Sequence, residues 1–165
     1  MPHMNIEKLS DLLVDADMHS QLVRECVELI DQEVREKSGL SGLAIKGAYH
    51  VIKKIKPGII NHAVQDLLPE FLFQLEPFYA DFVAHNKLGS FSNVLVSAKN
   101  DVAEALLSVT DARAAQSTHE TLKKTYSKLR PSAKEHVMSA VPRVGQLLNA
   151  YVIPYSATEQ AVSFL

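Results

Sequence analysis

From Ile60 to Val83 the apolar residues Ile60, Ala63, Val64, Leu67, Leu68, Phe71, Leu72, Leu75, Phe78, Tyr79, Phe82 and Val83 recur every three or four positions. That spacing keeps side chains on one face only if the chain turns every 3.6 residues, so the densest hydrophobic run in the sequence is a helix stripe. Pro69 and Pro77 fall inside it. Each lacks a backbone N–H and crowds the preceding turn, so the segment is expected to kink or to split into shorter helices.

The rest of the chain repeats the same period. Leu22, Val23, Cys26, Val27, Ile30 and Val34 form one face of a helix with Asp17 as its expected N-cap, ending near "KSG", where Gly39 can take a left-handed cap. Ser41 is expected to cap the next helix. There Ala44, Gly47, Ala48, Val51, Ile52 and Ile55 share a side, and Lys46, His50, Lys53 and Lys54 lie mostly opposite, until Pro57 and Gly58 turn a corner. "SFSNVLVSAKN" reads as a short helix, and Val102, Ala105, Leu106, Val109 and Ala112 mark another. Serine followed by glutamate three residues on, at Ser117, Ser132 and Ser156, predicts three further helix starts, with an interruption at Pro142. No alternation of period two is long enough to specify a strand. The fold expected is therefore all-α, a compact multi-helix bundle in one domain with a proline-kinked central helix. Residues 1–16 read as an acidic helix or a partly disordered lead, 17–151 as the helical domain and 152–165 as an apolar tail, either a short helix or disordered.

A chain of 165 residues is of normal single-domain size, and 47% hydrophobic with 22% charged residues is the balance of a globular protein. Cys26 is the single cysteine, which rules out an internal disulfide and fits a reducing, cytoplasmic setting. The N-terminus lacks a basic region followed by an apolar run, and no uncharged stretch approaches the roughly 20 residues that span a bilayer.

The net charge of −2 conceals four alternating blocks: −6 over residues 1–36, +5 over 37–65, −5 over 66–111 and +4 over 112–165. Such blocks neutralise one another across neighbouring helices or expose an anion-binding face. The residues that would form the latter are Lys46, His50, Lys53, Lys54 and Lys56, with Lys123, Lys124, Lys128 and Arg130.

Two stretches echo each other. "KKIKPGIINHAV" and "YSKLRPSAKEHVM" each place a tyrosine-bearing basic helix before a proline, with His62 or His136 five residues beyond it. Either a helix-corner-helix unit is duplicated or corner chemistry recurs. "KSGLSGLAIKGAYHVIKKIKPG", "TDARA" and "KKTYSKLRPSAKEHV" resemble the recurrent blocks of an uncharacterised family of short helical bacterial proteins, a domain of unknown function, over residues 20–150. The resemblance implies a fold class and assigns no activity and no functional residues.

Catalytic signatures are missing. No glutamate stands three residues before any of the seven histidines, as di-iron bundles require, and His-Glu-x-x-His is absent, so neither metal nor cofactor is expected. The glycines at 39, 42 and 47 satisfy no phosphate-loop or dinucleotide pattern, and Ser41 lacks the strand a nucleophile elbow needs. His50, His62 and His136 could titrate as bases, without an assignable partner. Cys26 on an apolar stripe reads as a small buried hydrophobe. The function expected is a non-catalytic protein-interaction or structural module, contacting a protein partner or its own copy through the tail "VIPYSATEQAVSFL" or an unburied stripe. The alternative is a module that binds nucleic acid or an anionic membrane surface through the lysines.

Overall fold

The computed structural model describes residues 5–152, which are 86% helical. A 3-10 turn, Leu9–Leu13, leads into α1 (Ala16–Glu36), α2 (Gly39–Ile55), α3 (Ile59–Ala84), α4 (Phe91–Ser97), α5 (Lys99–Gln116) and α6 (Glu120–Val152). The all-α bundle expected from periodicity is what the chain adopts. The helix start expected at Ser156 and the tail beyond Val152 lie outside the described residues.

Several boundaries differ from expectation, each for a local reason. Asp15, not Asp17, caps α1, its carboxylate accepting from the Met18 N–H at 2.8 Å. Ser41 is inside α2 rather than at its cap, because Gly39 takes φ +75° and lets the chain re-enter helix three residues earlier, behind an extended Ser38. The central helix α3 runs unbroken through Pro69 and Pro77. Both prolines are exposed, so the carbonyls they leave unbonded face water. Its buried residues are Val64, Leu68, Leu72, Leu75, Tyr79 and Phe82; Ala63 and Val83, expected in the stripe, are exposed.

Of the helix starts predicted in the C-terminal half, the one at Ser132 does not form. One 33-residue helix, α6, continues through Pro131 and Pro142, and Ser132 bonds the Leu129 carbonyl from inside it instead of opening a new helix. Ser117 ends α5 and accepts from the His119 N–H at 3.1 Å. The sequence echo is consequently not an echo of shape. Lys56 is extended before Pro57, and Gly58, at φ +74°, makes the corner; after Pro131 stands Ser132, which has no such freedom, and the helix goes on.

Around the core, α1, α3, α5 and α6 form a ring in which each helix packs on its two neighbours, while the diagonal pairs do not approach closely. Side-chain bonds record the directions: Arg143 with Glu33 and Tyr151 with Glu25 make α6 antiparallel to α1, and Arg130 with Asp111 and Lys134 with Glu104 make it antiparallel to α5. The lead is part of this body, since Ile6, Leu9 and Leu12 are buried and Glu76 accepts from the Leu9 N–H at 2.8 Å. Short α4 closes one end, held by Ser90 as N-cap and by Asn149, which accepts from the Phe91 N–H at 2.9 Å. There α4 meets α6 at Gly145, where an added Cβ would lie 2.8 Å from Ser92 Oγ and 3.0 Å from Ser92 Cα. The hydroxyl can rotate away but the backbone cannot. Gly145→Ala is therefore expected to lower stability by about 1–3 kcal/mol in chemical denaturation, overpacking outweighing the gain of ~1 kcal/mol in helix propensity.

Candidate functional site

The geometry separates the charged residues into clasps and leftovers. Bases of the last block reach back to acids of the first and third. Arg143 bonds Glu33 at 2.8 Å and Glu36 at 2.7 Å; Lys37 bonds Glu33 at 3.2 Å and the His136 carbonyl at 3.3 Å, tying together α1, the start of α2 and α6. Arg130 bonds Asp111 at 2.8 Å, Lys134 bonds Glu104 at 2.8 Å, and Arg113 lies 3.9 Å from Glu70. Hydrogen bonds from Arg130 and then Tyr126 hold the Asp111 carboxyl below its ordinary range. Neutralisation across neighbouring helices thus accounts for most of the fourth block.

The candidate anion-binding residues are divided between α2 and α6, two helices that pack on each other. Lys46, His50, Lys53, Lys54 and Lys56 are all on α2 or at its end and reach solvent, whereas Lys124 and Lys128 are exposed and Lys123 and Arg130 half-buried near the start of α6. The α2 group sits beside Asp31 and Arg35 of α1, close to where α1 is clasped by Arg143. Arg130 is already committed to Asp111. Lys46, Lys53, Lys54 and Lys56 make no ion pair among the described residues, although the Lys53 ammonium lies 5.1 Å from the centre of the Tyr49 ring.

The histidines are likewise dispersed. His50 and His62 are exposed on different helices. His136 is half-buried in an open cleft with Lys37 and Arg143, its pKa pushed down by burial and then by the Lys37 charge, so it is a neutral imidazole at pH 7. Both bases beside it are occupied by Glu33 and Glu36. Cys26 is half-buried against the core, and burial pushes its thiol up to about 11.

Sequence reasoning missed the orientation of α2. Periodicity turns Ala44, Gly47, Ala48, Val51, Ile52 and Ile55 inward. Instead Ile45, Ala48, Tyr49, Ile52 and Ile55 are half-buried, and Leu40, Leu43, Ala44, Gly47 and Val51 face solvent. Two contacts fix the rotation. The Tyr49 hydroxyl donates to Asp31 on α1, and Gly42 lies so close to the α1–α2 junction that a Cβ there would be 2.8 Å from the Lys37 carbonyl carbon. Leu40 is 89% and Leu43 66% exposed. At 100° per residue the five outward apolar residues span roughly one hundred degrees, with Lys54 among them and His50, Lys46 and Lys53 along one border. A signal was present: apolar positions 40, 43, 44, 47, 48, 51, 52 and 55 together cover more of the circumference than one buried stripe requires.

An all-helical domain that buries one face of its second helix and, among the described residues, shows solvent an apolar, lysine-bordered other face is, as a class, a helical module. No helix in the described residues is long and apolar enough to cross a membrane. The chain belongs to DUF6918, a family of unknown function whose model matches residues 9–152. No curated protein and no solved structure matches it.

Proposed function

We propose that the protein is a non-catalytic, cytoplasmic interaction module whose docking surface is the outward face of α2. The observation that carries this reading is the exposure of Leu40 and Leu43 in line with Ala44, Gly47 and Val51 on a regular helix. Small residues at 44 and 47 let a partner backbone come close, and the leucines supply the apolar contact. α2 carries no acidic residue, so pairing two copies of it would line lysines against lysines. The surface fits instead an amphipathic helical segment whose apolar stripe is flanked by aspartate or glutamate. Panning a displayed peptide library against the protein tests this: recovered peptides should combine apolar residues at i, i+3 or i+4, and i+7 with acidic neighbours. Recovery of basic or unpatterned peptides would count against it.

A second reading rests on the unpaired lysines of α2. Under it, changing Lys46, Lys53, Lys54 and Lys56 together to glutamine leaves thermal stability within about 0.5 kcal/mol but weakens binding to single-stranded DNA or anionic vesicles, with a loss that shrinks as salt rises. Under the interaction-module reading the same variant shows no such loss, because the unmutated protein binds neither appreciably. Titration of both proteins with each anion, at low and high salt, decides between them.

A further inference from the structure

Between α1, α3, α5 and α6 lies a partly open cavity of about 230 Å³. Its wall comes from all four helices and contains two side chains that are not hydrocarbon, Cys26 and Thr110. The Thr110 hydroxyl is already engaged by the Leu107 carbonyl at 3.1 Å and by the Tyr126 hydroxyl at 2.8 Å. The Cys26 thiol, held uncharged by its surroundings, presents a soft neutral surface. Water entering such a space would find almost no hydrogen-bond partners.

We infer that this cavity is a binding site for a neutral alkyl chain. A cavity of 150 Å³ lined by leucine, isoleucine and phenylalanine takes up benzene, and by the same occupancy 230 Å³ admits about nine carbon atoms. No charged group lines the site, which excludes an ionised ligand from its interior and leaves only the end of a chain able to carry a polar group, toward solvent. Access does not require unfolding: the wall passes from buried residues such as Leu72 and Leu68 to half-exposed ones such as Leu29, Phe71 and Val137. The chain could be that of a short free molecule or the leading carbons of a longer acyl group; the recognised chemistry is the same.

A series of n-alkanols from four to fourteen carbons, titrated by calorimetry below their aggregation concentrations, tests the assignment. Affinity should rise about fourfold for each added methylene until the cavity is full, at about nine carbons, and then level off. A plateau at that length with continued binding of the longer members indicates that the natural ligand can be a longer chain whose remainder stays outside; rejection of the longer members limits it to short free molecules. Either result supports the site. Val144→Leu should move the plateau to shorter chains and Leu147→Ala to longer ones, so that failure of one variant to fold leaves the other informative. Affinity that rises without a plateau, an unshifted plateau in the folded variants, or no binding at all overturns the inference.

Discussion

Replacing Tyr79 by alanine is expected to cost about 3–5 kcal/mol, the largest loss from any single side chain in this fold. Tyr79 is completely buried on α3, its ring edge-on to Phe91 at 5.3 Å, with Phe82 tilted against it 6.2 Å away. Its hydroxyl donates to the Ile6 carbonyl and so fastens the lead to the core. Removing the ring leaves a cavity at the junction of α3, α4 and the 3-10 turn, and no neighbour can collapse into it without unpacking Phe91. Tyr79→Phe keeps the volume and loses only the bond, leaving the Ile6 carbonyl unsatisfied; it should cost about 1–2 kcal/mol. Denaturant unfolding of the pair separates packing from hydrogen bonding. Equal losses for the two variants would mean that the ring contributes nothing beyond its hydroxyl.

The second large effect is alkaline. Tyr49, Tyr126 and Tyr151 donate to Asp31, Asp111 and Glu25 respectively. Burial and the adjacent carboxylates raise all three above the ordinary tyrosine range, and burial followed by the charges of Glu76 and Asp11 pushes Tyr79 up to about 12. A phenol is uncharged when protonated. With the folded pKa raised, the unfolded chain gives up its protons first, near pH 10, and the folded chain keeps them. The stabilising contribution is therefore fully present below about pH 10 and is lost as pH rises toward the folded values. Four such groups would contribute up to ~5 kcal/mol per pH unit, and screening at the three half-exposed tyrosines reduces this to roughly 3 kcal/mol between pH 10 and 11. Denaturation at pH 8, 10 and 11 should show the decline, and tyrosinate absorbance should rise together with unfolding instead of before it. Full ionisation of these tyrosines near pH 10 with the fold intact would contradict the assignment.

Tyr79 and its neighbours also show where sequence information stops. Periodicity identifies the helical faces of α1 and α3 because each buries a single stripe against a common core, which is a local property, whereas on α5 it misses Ala103 and Leu107 and includes the exposed Ala112. It cannot rank Leu9 and Leu12 as core residues, since five residues of 3-10 turn are too few to establish a period. Proline is ambiguous for a different reason: whether it ends a helix depends on the residue after it, and Gly58 after Pro57 permits the corner that Ser132 after Pro131 does not. The capping pattern at Ser132 misleads because a continuing helix satisfies the same N–H groups without help from the serine. The charge blocks are visible in the sequence, but their pairing depends on which helices touch, and the clasp of Arg143 on Glu33 and Glu36 bridges residues more than a hundred positions apart. The outward face of α2 is hidden in the same way. A helix apolar over more than half its circumference does not disclose which half the core will take; the Tyr49–Asp31 bond and the tight approach at Gly42 decide it.

That face is the centre of the functional account, and its contribution separates cleanly from folding. Leu40 and Leu43 are so exposed that Leu40→Asp with Leu43→Asp should change stability by no more than about 0.5 kcal/mol per site. The direct measurement is the affinity of a peptide selected on the unmutated protein for this double variant, followed by fluorescence anisotropy, with the unfolding midpoint of the variant recorded alongside. An unchanged midpoint and a loss of affinity of about a hundredfold are expected, the size that follows when two anchoring side chains of a docking surface are replaced by charge. Undiminished binding of that peptide to a fully folded variant would place the docking surface elsewhere on the molecule.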